Sequence, residues 1–197
     1  RPVLIKSGIP RDVAMVLEEE HLDWPGVLVQ SEAERDYVDG RLTAHILGYV
    51  GPIPGEQVDA YEEAGYDANR HIVGLQGLEY SYEEALHGHD GQRLVEVDVA
   101  GRKVRTVGEP SATVPGYNLN LTLDLDLQRA VTDILQAQLK SLGKKEGVVI
   151  LMNPQTGEVL ALVSLPSYDN NDFTGGISSD ALQALFDDPS YPLVNHA

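Results

Sequence analysis

The sequence contains no cysteine, which excludes disulfide frameworks, thiolate nucleophiles and cysteine-ligated metals; any metal site would have to be built from His, Asp and Glu. Basic residues are scarce. Fourteen Lys and Arg face 31 Asp and Glu, giving a formal charge of -17 and a pI near 4.5. A field of that sign repels nucleic acid and anionic lipid surfaces, so no nucleic-acid partner is expected. Long apolar runs are missing as well. The longest, residues 148–152 and 159–163, fall far short of the roughly 18–20 residues that cross a bilayer. Neither a repeat of fixed period nor a low-complexity tract is present. The sequence opens at Arg1 without an initiator Met or an apolar leader, so it is expected to belong to a longer protein whose anchor lies upstream.

What is there reads as globular. The 197 residues are 42% hydrophobic with acids interspersed among apolar positions, enough for one medium domain or two small ones. Residues 10–22 carry Val13, Val16, Leu17 and Leu22 at near-helical spacing behind a proline, and Pro25-Gly26 closes the segment. Val27, Leu28 and Val29 suit a short strand, while 42–47 and 56–64 suit short helices separated by glycines and prolines. Residues 77–86 place Leu78, Tyr82 and Leu86 on one helical face, stopped by Gly88 and Gly91. Val95, Val97 and Val99 alternate with acids and, with 103–107, predict a hairpin. Residues 108–116, with Pro110 and Pro115, form a connector, and the domain boundary is placed there.

Beyond it, Leu119, Leu121 and Leu123 alternate with polar residues as a half-buried strand, and Asp124 caps a long helix with a stripe of Leu127, Val131, Ile134, Leu135, Leu139 and Leu142. Lys140, Lys144 and Lys145 fall near that helix's negative end. Residues 147–152 and 158–164, joined by the turn 153–157, read as buried antiparallel strands whose apolar faces need covering layers. One more short helix is expected over 179–186.

Candidate chemistry is sparse. Ser141 and Lys144 match Ser-x-x-Lys, but they sit where the helical stripe ends, and a solvated helix end is the better reading. Glu83, His87, His89 and Asp90 could converge on a metal, although glycine punctuation favours an exposed helix end. His45, between Leu42 and Ile46, is expected to be a packed, hydrogen-bonded residue. The glycines Gly74 and Gly77 lack the Gly-Lys-Ser/Thr ending of a phosphate loop and are read as permitting tight turns. Glu62-Glu63 and Asp187-Asp188 are adjacent acids that point apart on a helix, so they read as solvated faces. No catalytic, cofactor-binding or metal-ligating residue emerges.

The segments in order resemble the N-terminal half of a class B penicillin-binding protein of the elongation type, the penicillin-binding protein 2 group. Arg35-Asp36-Tyr37 with Gly40, then Ala44-His45-Ile46-Leu47-Gly48-Tyr49-Val50-Gly51, is similar to that family's Arg-x-Tyr-Pro-x-Gly and Ala-His-x-Leu-Gly-Tyr-Val-Gly patterns. Gly74, Gly77-Leu78-Glu79, Tyr82, Leu86, Gly88 and Gly91 resemble its next signature. Pro115-Gly116, Leu121-Thr122-Leu123-Asp124 and Leu127-Gln128 resemble the entry to its transpeptidase domain, and Asn153-Pro154, Thr156-Gly157-Glu158 and Ser164 to Asp169 its first hairpin. Val38, Leu75, His87 and His196 depart from the common pattern.

The resemblance implies an α+β fold. Residues 1–115 would be an elongated pedestal of short helices and hairpins, also called the dimerisation domain. Residues 116–197 would be a strand, long helix and hairpin that open an incomplete transpeptidase domain, ending before the nucleophile motif. It implies a non-catalytic pedestal fragment of a peptidoglycan D,D-transpeptidase, without cofactor and inactive by itself, that positions the catalytic domain and contacts a lipid-linked glycan polymerase. Homodimerisation is left open. The parent would be extracytoplasmic and held by a transmembrane helix not in this sequence. The rival reading is a free-standing extracytoplasmic interaction module with no transpeptidase attached.

Overall fold

A computed structural model describes residues 5–6, 8–21, 23–24, 26–29, 34–68, 70–92, 94–97 and 103–197. Helix α1 (Arg11–Glu19) forms where the spacing predicts it, starting behind Pro10, yet none of its residues is buried. Leu22 and Pro25 of that reading lie outside the described residues. Residues 27–29 belong to no strand, contrary to expectation, and Leu28 is 76% exposed. Apolar β-formers alone do not make a strand when no edge is offered to them.

Helix α2 (Gly40–Leu47) starts from Asp39 in the left-handed region (φ 62°), and its Ala44 is completely buried. Strand β1 (Val50–Pro52) pairs antiparallel with β2 (Ile72–Gly74), Val50 opposite Gly74. Between them a 3-10 turn at Gly55–Gln57 leads into α3 (Val58–Glu63), covering the helix expected over 56–64. The single helix expected over 77–86 is two, α4 (Gly77–Ser81) and α5 (Glu83–His87), broken at Tyr82 (φ -118°, ψ 19°). The supposed stripe fails at that residue, because Tyr82 is exposed. The following Glu83 turns inward instead, its Oε2 accepting the Gly74 N–H at 2.7 Å.

Strands β3 (Leu94–Val97) and β4 (Lys103–Val107) make the predicted hairpin, with a register shift between Glu96 and Val97; Val99 lies outside the described residues. The connector 108–116 stays free of regular elements apart from one bridge, His89 to Val114.

Residues 119–123 also form no strand, a correction to the clearest alternation in the sequence. They run beside the hairpin that follows. Thr122 Oγ1 donates to the Val159 carbonyl at 2.7 Å, and the Asp124 N–H to the Leu160 carbonyl at 2.9 Å. Further along that edge the partner is a side chain, Gln128, so no ladder develops.

Helix α6 (Leu125–Leu142) is capped by Asp124, whose carboxylate accepts the Leu127 N–H at 3.0 Å, a cap worth about 1 kcal/mol. Its buried face differs from the stripe read off the sequence. Gln128 and Thr132 are its buried residues, whereas Ile134 is 64% exposed and Leu142 67%. Strands β5 (Gly147–Met152) and β6 (Val159–Leu165) form the predicted antiparallel hairpin, Val149 opposite Val163, around a turn closed by Gly157 at φ 79°. Helix α6 covers β6, and Ile150 and Met152 of β5 stay about half exposed. The chain continues through α7 (Asn171–Thr174) and α8 (Ser179–Asp187), the latter capped by Ser178.

The result is α+β, with three separate two-stranded sheets among the described residues. The main apolar cluster is Ala44, Tyr168 and Phe173, with Tyr49, Ile177, Leu182, Leu185 and Leu193 packed around it. Tyr49 stacks on Phe173 (centroids 3.9 Å apart, 21° between planes) and Tyr168 meets both edge-on. Such aromatic pairs contribute about 0.5–1.5 kcal/mol each beyond their burial. This cluster draws residues from both sides of position 115.

Candidate functional site

The sequence's nucleophile candidate is not assembled into a site. Ser141 is exposed at the end of α6 and donates to the Gln138 carbonyl at 2.8 Å, and Lys144 follows the Gly143 cap. Among the described residues no group of three or more His, Asp and Glu side chains could hold a metal ion. Glu83 and His87 do meet at 3.2 Å, but Asp90 faces His71 at 3.0 Å. The helix end at His87 is not solvated as expected, since its side chain is largely covered. Gly77 (φ 63°) serves a tight approach: a Cβ there would stand 2.7 Å from the Gly48 nitrogen and from the Ile46 carbonyl oxygen.

What the fold does assemble is a polar saddle around α2. Short helices offer a dense set of backbone groups, and side chains from distant segments take them up. Tyr168 Oη donates to the Ala44 carbonyl at 3.2 Å and Ser167 Oγ to the Arg41 carbonyl at 2.8 Å. Asn170, fully buried, donates Nδ2 to the Gly48 carbonyl at 2.9 Å. Asn171 mimics a strand partner: its Oδ1 accepts the Tyr37 N–H at 2.9 Å while its Nδ2 donates to the Tyr37 carbonyl at 3.0 Å.

Gln128 repeats the device on the other side. Its Oε1 accepts the Leu162 N–H at 2.8 Å, and its Nε2 donates to the Leu162 carbonyl at 2.6 Å and the Leu42 carbonyl at 2.9 Å. It thus closes the outer edge of β6 and ties α6, β6 and α2 at one point. With 1% of its surface exposed, it has no water to fall back on.

His45 is packed and hydrogen-bonded, as the sequence implies. Its Nε2–H donates to the Pro166 carbonyl at 3.1 Å and its ring stands edge-on to Tyr168. Burial pushes the imidazole below its ordinary value, and burial likewise raises the Tyr168 hydroxyl. Both groups are held neutral, which suits packing and not acid–base work. At the far end of the saddle Arg35 grips the buried Glu79 in two bonds (Nε to Oε1 2.8 Å, Nη2 to Oε2 2.9 Å), a planar pairing suited to a guanidinium. Burial, reinforced by the Glu79 charge, raises the Tyr37 hydroxyl beside them. Arg129 of α6 reaches Asp39 at 2.7 Å, bracing the left-handed residue that starts α2.

The segment near the end of the chain joins the same saddle. The His196 N–H donates to Ser164 Oγ at 3.0 Å, and Gln76 Nε2 donates to the Leu193 carbonyl at 3.3 Å. Asn170 and Asn171 carry this arrangement with Gln128 and escaped the sequence reading. Gln128 is marked there only within the family motif Leu127-Gln128, without a structural role.

Residues 1–121 match the penicillin-binding protein dimerisation domain family, and residues 147–194 match the penicillin-binding protein transpeptidase domain family. The chain is 41% identical over 179 residues to the peptidoglycan D,D-transpeptidase MrdA of Escherichia coli K12, covering 88% of this chain and 27% of that protein. It is 36% identical over 198 residues to MrdA of Salmonella typhimurium, covering 99% of this chain and 30% of that protein. It therefore spans less than a third of these relatives' length. Among solved structures it resembles PBP2 in a complex with MreC from Helicobacter pylori, with a TM-score of 0.76, 30% identity, and coverage of 97% of this chain and 34% of that one. The chain belongs to the penicillin-binding protein family, of the PBP2 type, and carries its dimerisation region together with part of a transpeptidase domain.

Proposed function

We propose that this chain is the pedestal and the opening of the transpeptidase domain of an extracytoplasmic peptidoglycan D,D-transpeptidase. Residues 1–115 are the pedestal and residues 116–197 start the catalytic domain. Its own activity is binding: it contacts the lipid-linked glycan polymerase, or an MreC-type partner like the one in the H. pylori complex, and sets the position of the catalytic domain. The observation that carries this reading is the saddle on α2, where backbone groups between Tyr37 and Gly48 are bonded by Gln128 and by Ser167, Tyr168, Asn170 and Asn171. A partner that shifts α2 must also shift the 164–173 segment, so differential affinity for two positions of α2 is enough to transmit its binding.

The test immobilises the chain and titrates, separately, a purified polymerase in detergent and the soluble part of an MreC-type protein. Saturable binding of either in the micromolar range is expected, and weakening by substitutions in the 34–92 region should accompany it. Absence of binding to both at 100-fold higher concentration overturns the proposal.

A further inference from the structure

Outside the saddle, the fold gathers positive charge in one place, a groove of about 460 Å³ where the end of α6, the loop into β5 and the exit from β6 meet. Pairing of Gly147 with Leu165 sets the loop beside the exit segment, and Leu139 of α6 packs over Gly147, where a Cβ would stand 3.0 Å from its Cδ2. Leu139, Leu165 and Pro166 supply the apolar lining of the groove, and Lys140, Lys144 and Lys145 its charge. Ser167 lines it too, but its hydroxyl is given to the Arg41 carbonyl.

Capping a helix dipole does not account for three lysines. Lys140, in the last turn of α6, is enough for that. Gly143, at φ 64°, reverses the chain beyond it, and the Lys144 N–H returns to the Leu139 carbonyl at 2.9 Å, a bond typical of left-handed helix ends. The reversal holds Lys144 and Lys145 at the groove. Three of the five lysines of a chain with formal charge -17 therefore line one concavity, which makes it the cationic exception on an anionic surface. Among the described residues none of the three ammonium groups has an ion-pair partner. Asp188 feels the Lys145 charge, yet its Oδ1 is committed to the N–H and the hydroxyl of Ser190.

We propose that this groove docks a short acidic peptide segment of a partner protein, its carboxylates meeting the three lysines and an aliphatic side chain covering Leu139, Leu165 and Pro166. Charge complementarity selects the acid, and the apolar lining selects a peptide. A bare phosphate would leave the leucines and the proline uncovered, and the groove has no guanidinium fork for it among its lining residues. The size agrees, since pockets for compact ligands run from about 300 to 1,000 Å³. Exposed ion pairs contribute only about 0.2–1 kcal/mol each, so the affinity is modest and falls with salt.

The test follows the amide NMR spectrum of the full chain as the peptide acetyl-Glu-Leu-Glu-Glu-amide is added. Saturable shifts at Leu139, Lys144 and Ser167 with a Kd below about 1 mM are expected at about 50 mM salt, and the affinity should fall at least about threefold at about 300 mM. In K140Q/K144Q it should fall at least about threefold, whereas K6Q/R11Q, which removes the same charge from exposed residues elsewhere, should leave it within about 1.5-fold. Acetyl-Gln-Leu-Gln-Gln-amide and tripolyphosphate should each bind at least about fivefold more weakly than the acidic peptide. Any one of four results overturns the proposal: no saturation by about 5 mM peptide, shifts that saturate only outside the groove, equal binding of either competing probe, or equal weakening in K6Q/R11Q.

Discussion

Gln128→Leu destabilises the chain by about 3–5 kcal/mol, measured as a lowered urea midpoint at unchanged slope. Leucine keeps the volume and fills the same space, so the loss is not a cavity. It strips the Leu162 N–H and carbonyl of the partner that stands in for a neighbouring strand and removes the tie to the Leu42 carbonyl. Each buried backbone group left unpaired costs about 1–3 kcal/mol, and the Leu42 carbonyl, inside a helix, loses least. Gln128→Glu should be no rescue. A carboxylate can still accept from Leu162 but confronts two carbonyls with no donor, and it buries a charge. Thr132→Val is the control: its hydroxyl is also buried, but it bonds only the Gln128 carbonyl of its own helix. Losing that single hydroxyl donor should cost about 1 kcal/mol or less.

Gly48→Ala should be more damaging still, with a loss of at least about 4 kcal/mol or failure to accumulate folded chain. Gly48 closes α2 at φ 77° and ψ -150°, a conformation accessible in practice to glycine alone. Its added Cβ would also overlap the Gln76 carbonyl and stand 2.8 Å from the Gly77 nitrogen. The obstacle is backbone on both counts, so no side chain can swing away to relieve it. Gly77, at φ 63°, presses back on Gly48 in the same way. The control is Gly55→Ala, where the new methyl meets nothing within 4 Å and φ is ordinary; that change should stay within about 0.5 kcal/mol. Thermal unfolding of both variants against the unsubstituted chain checks the order.

Much of the fold could be read in the sequence wherever a local rule sufficed. Asp124 caps the helix it precedes, Gly157 closes the β5–β6 turn, and both strands of that hairpin are apolar enough to be found without context. Failures came where tertiary partners decide. Leu119, Leu121 and Leu123 alternate as a strand should, but the edge of β6 that could have paired with them is occupied by Gln128. The 77–86 helix breaks because Glu83 is drawn to the Gly74 amide, a contact no helical wheel can show. The saddle was invisible for the same reason. Asn170 and Asn171 look like turn residues, and only the fold brings them to Gly48 and Tyr37, more than 100 positions away. The family resemblance did mark both ends of that arrangement, because Tyr37, Ala44 to Gly48 and Ser167 to Asp169 lie within its motifs, without saying that they touch.

That α2 joins the dimerisation region to the part of the transpeptidase domain as one body is tested most directly by native-state hydrogen exchange in rising urea. The amides of Tyr37 and Gly48 report one side, and those of Leu162 and His196 the other, each through a bond already described. All four amides are expected to converge on a single opening, with free energies agreeing to within about 0.5 kcal/mol before global unfolding. Exchange of Tyr37 and Gly48 through an opening that leaves Leu162 and His196 protected would contradict it.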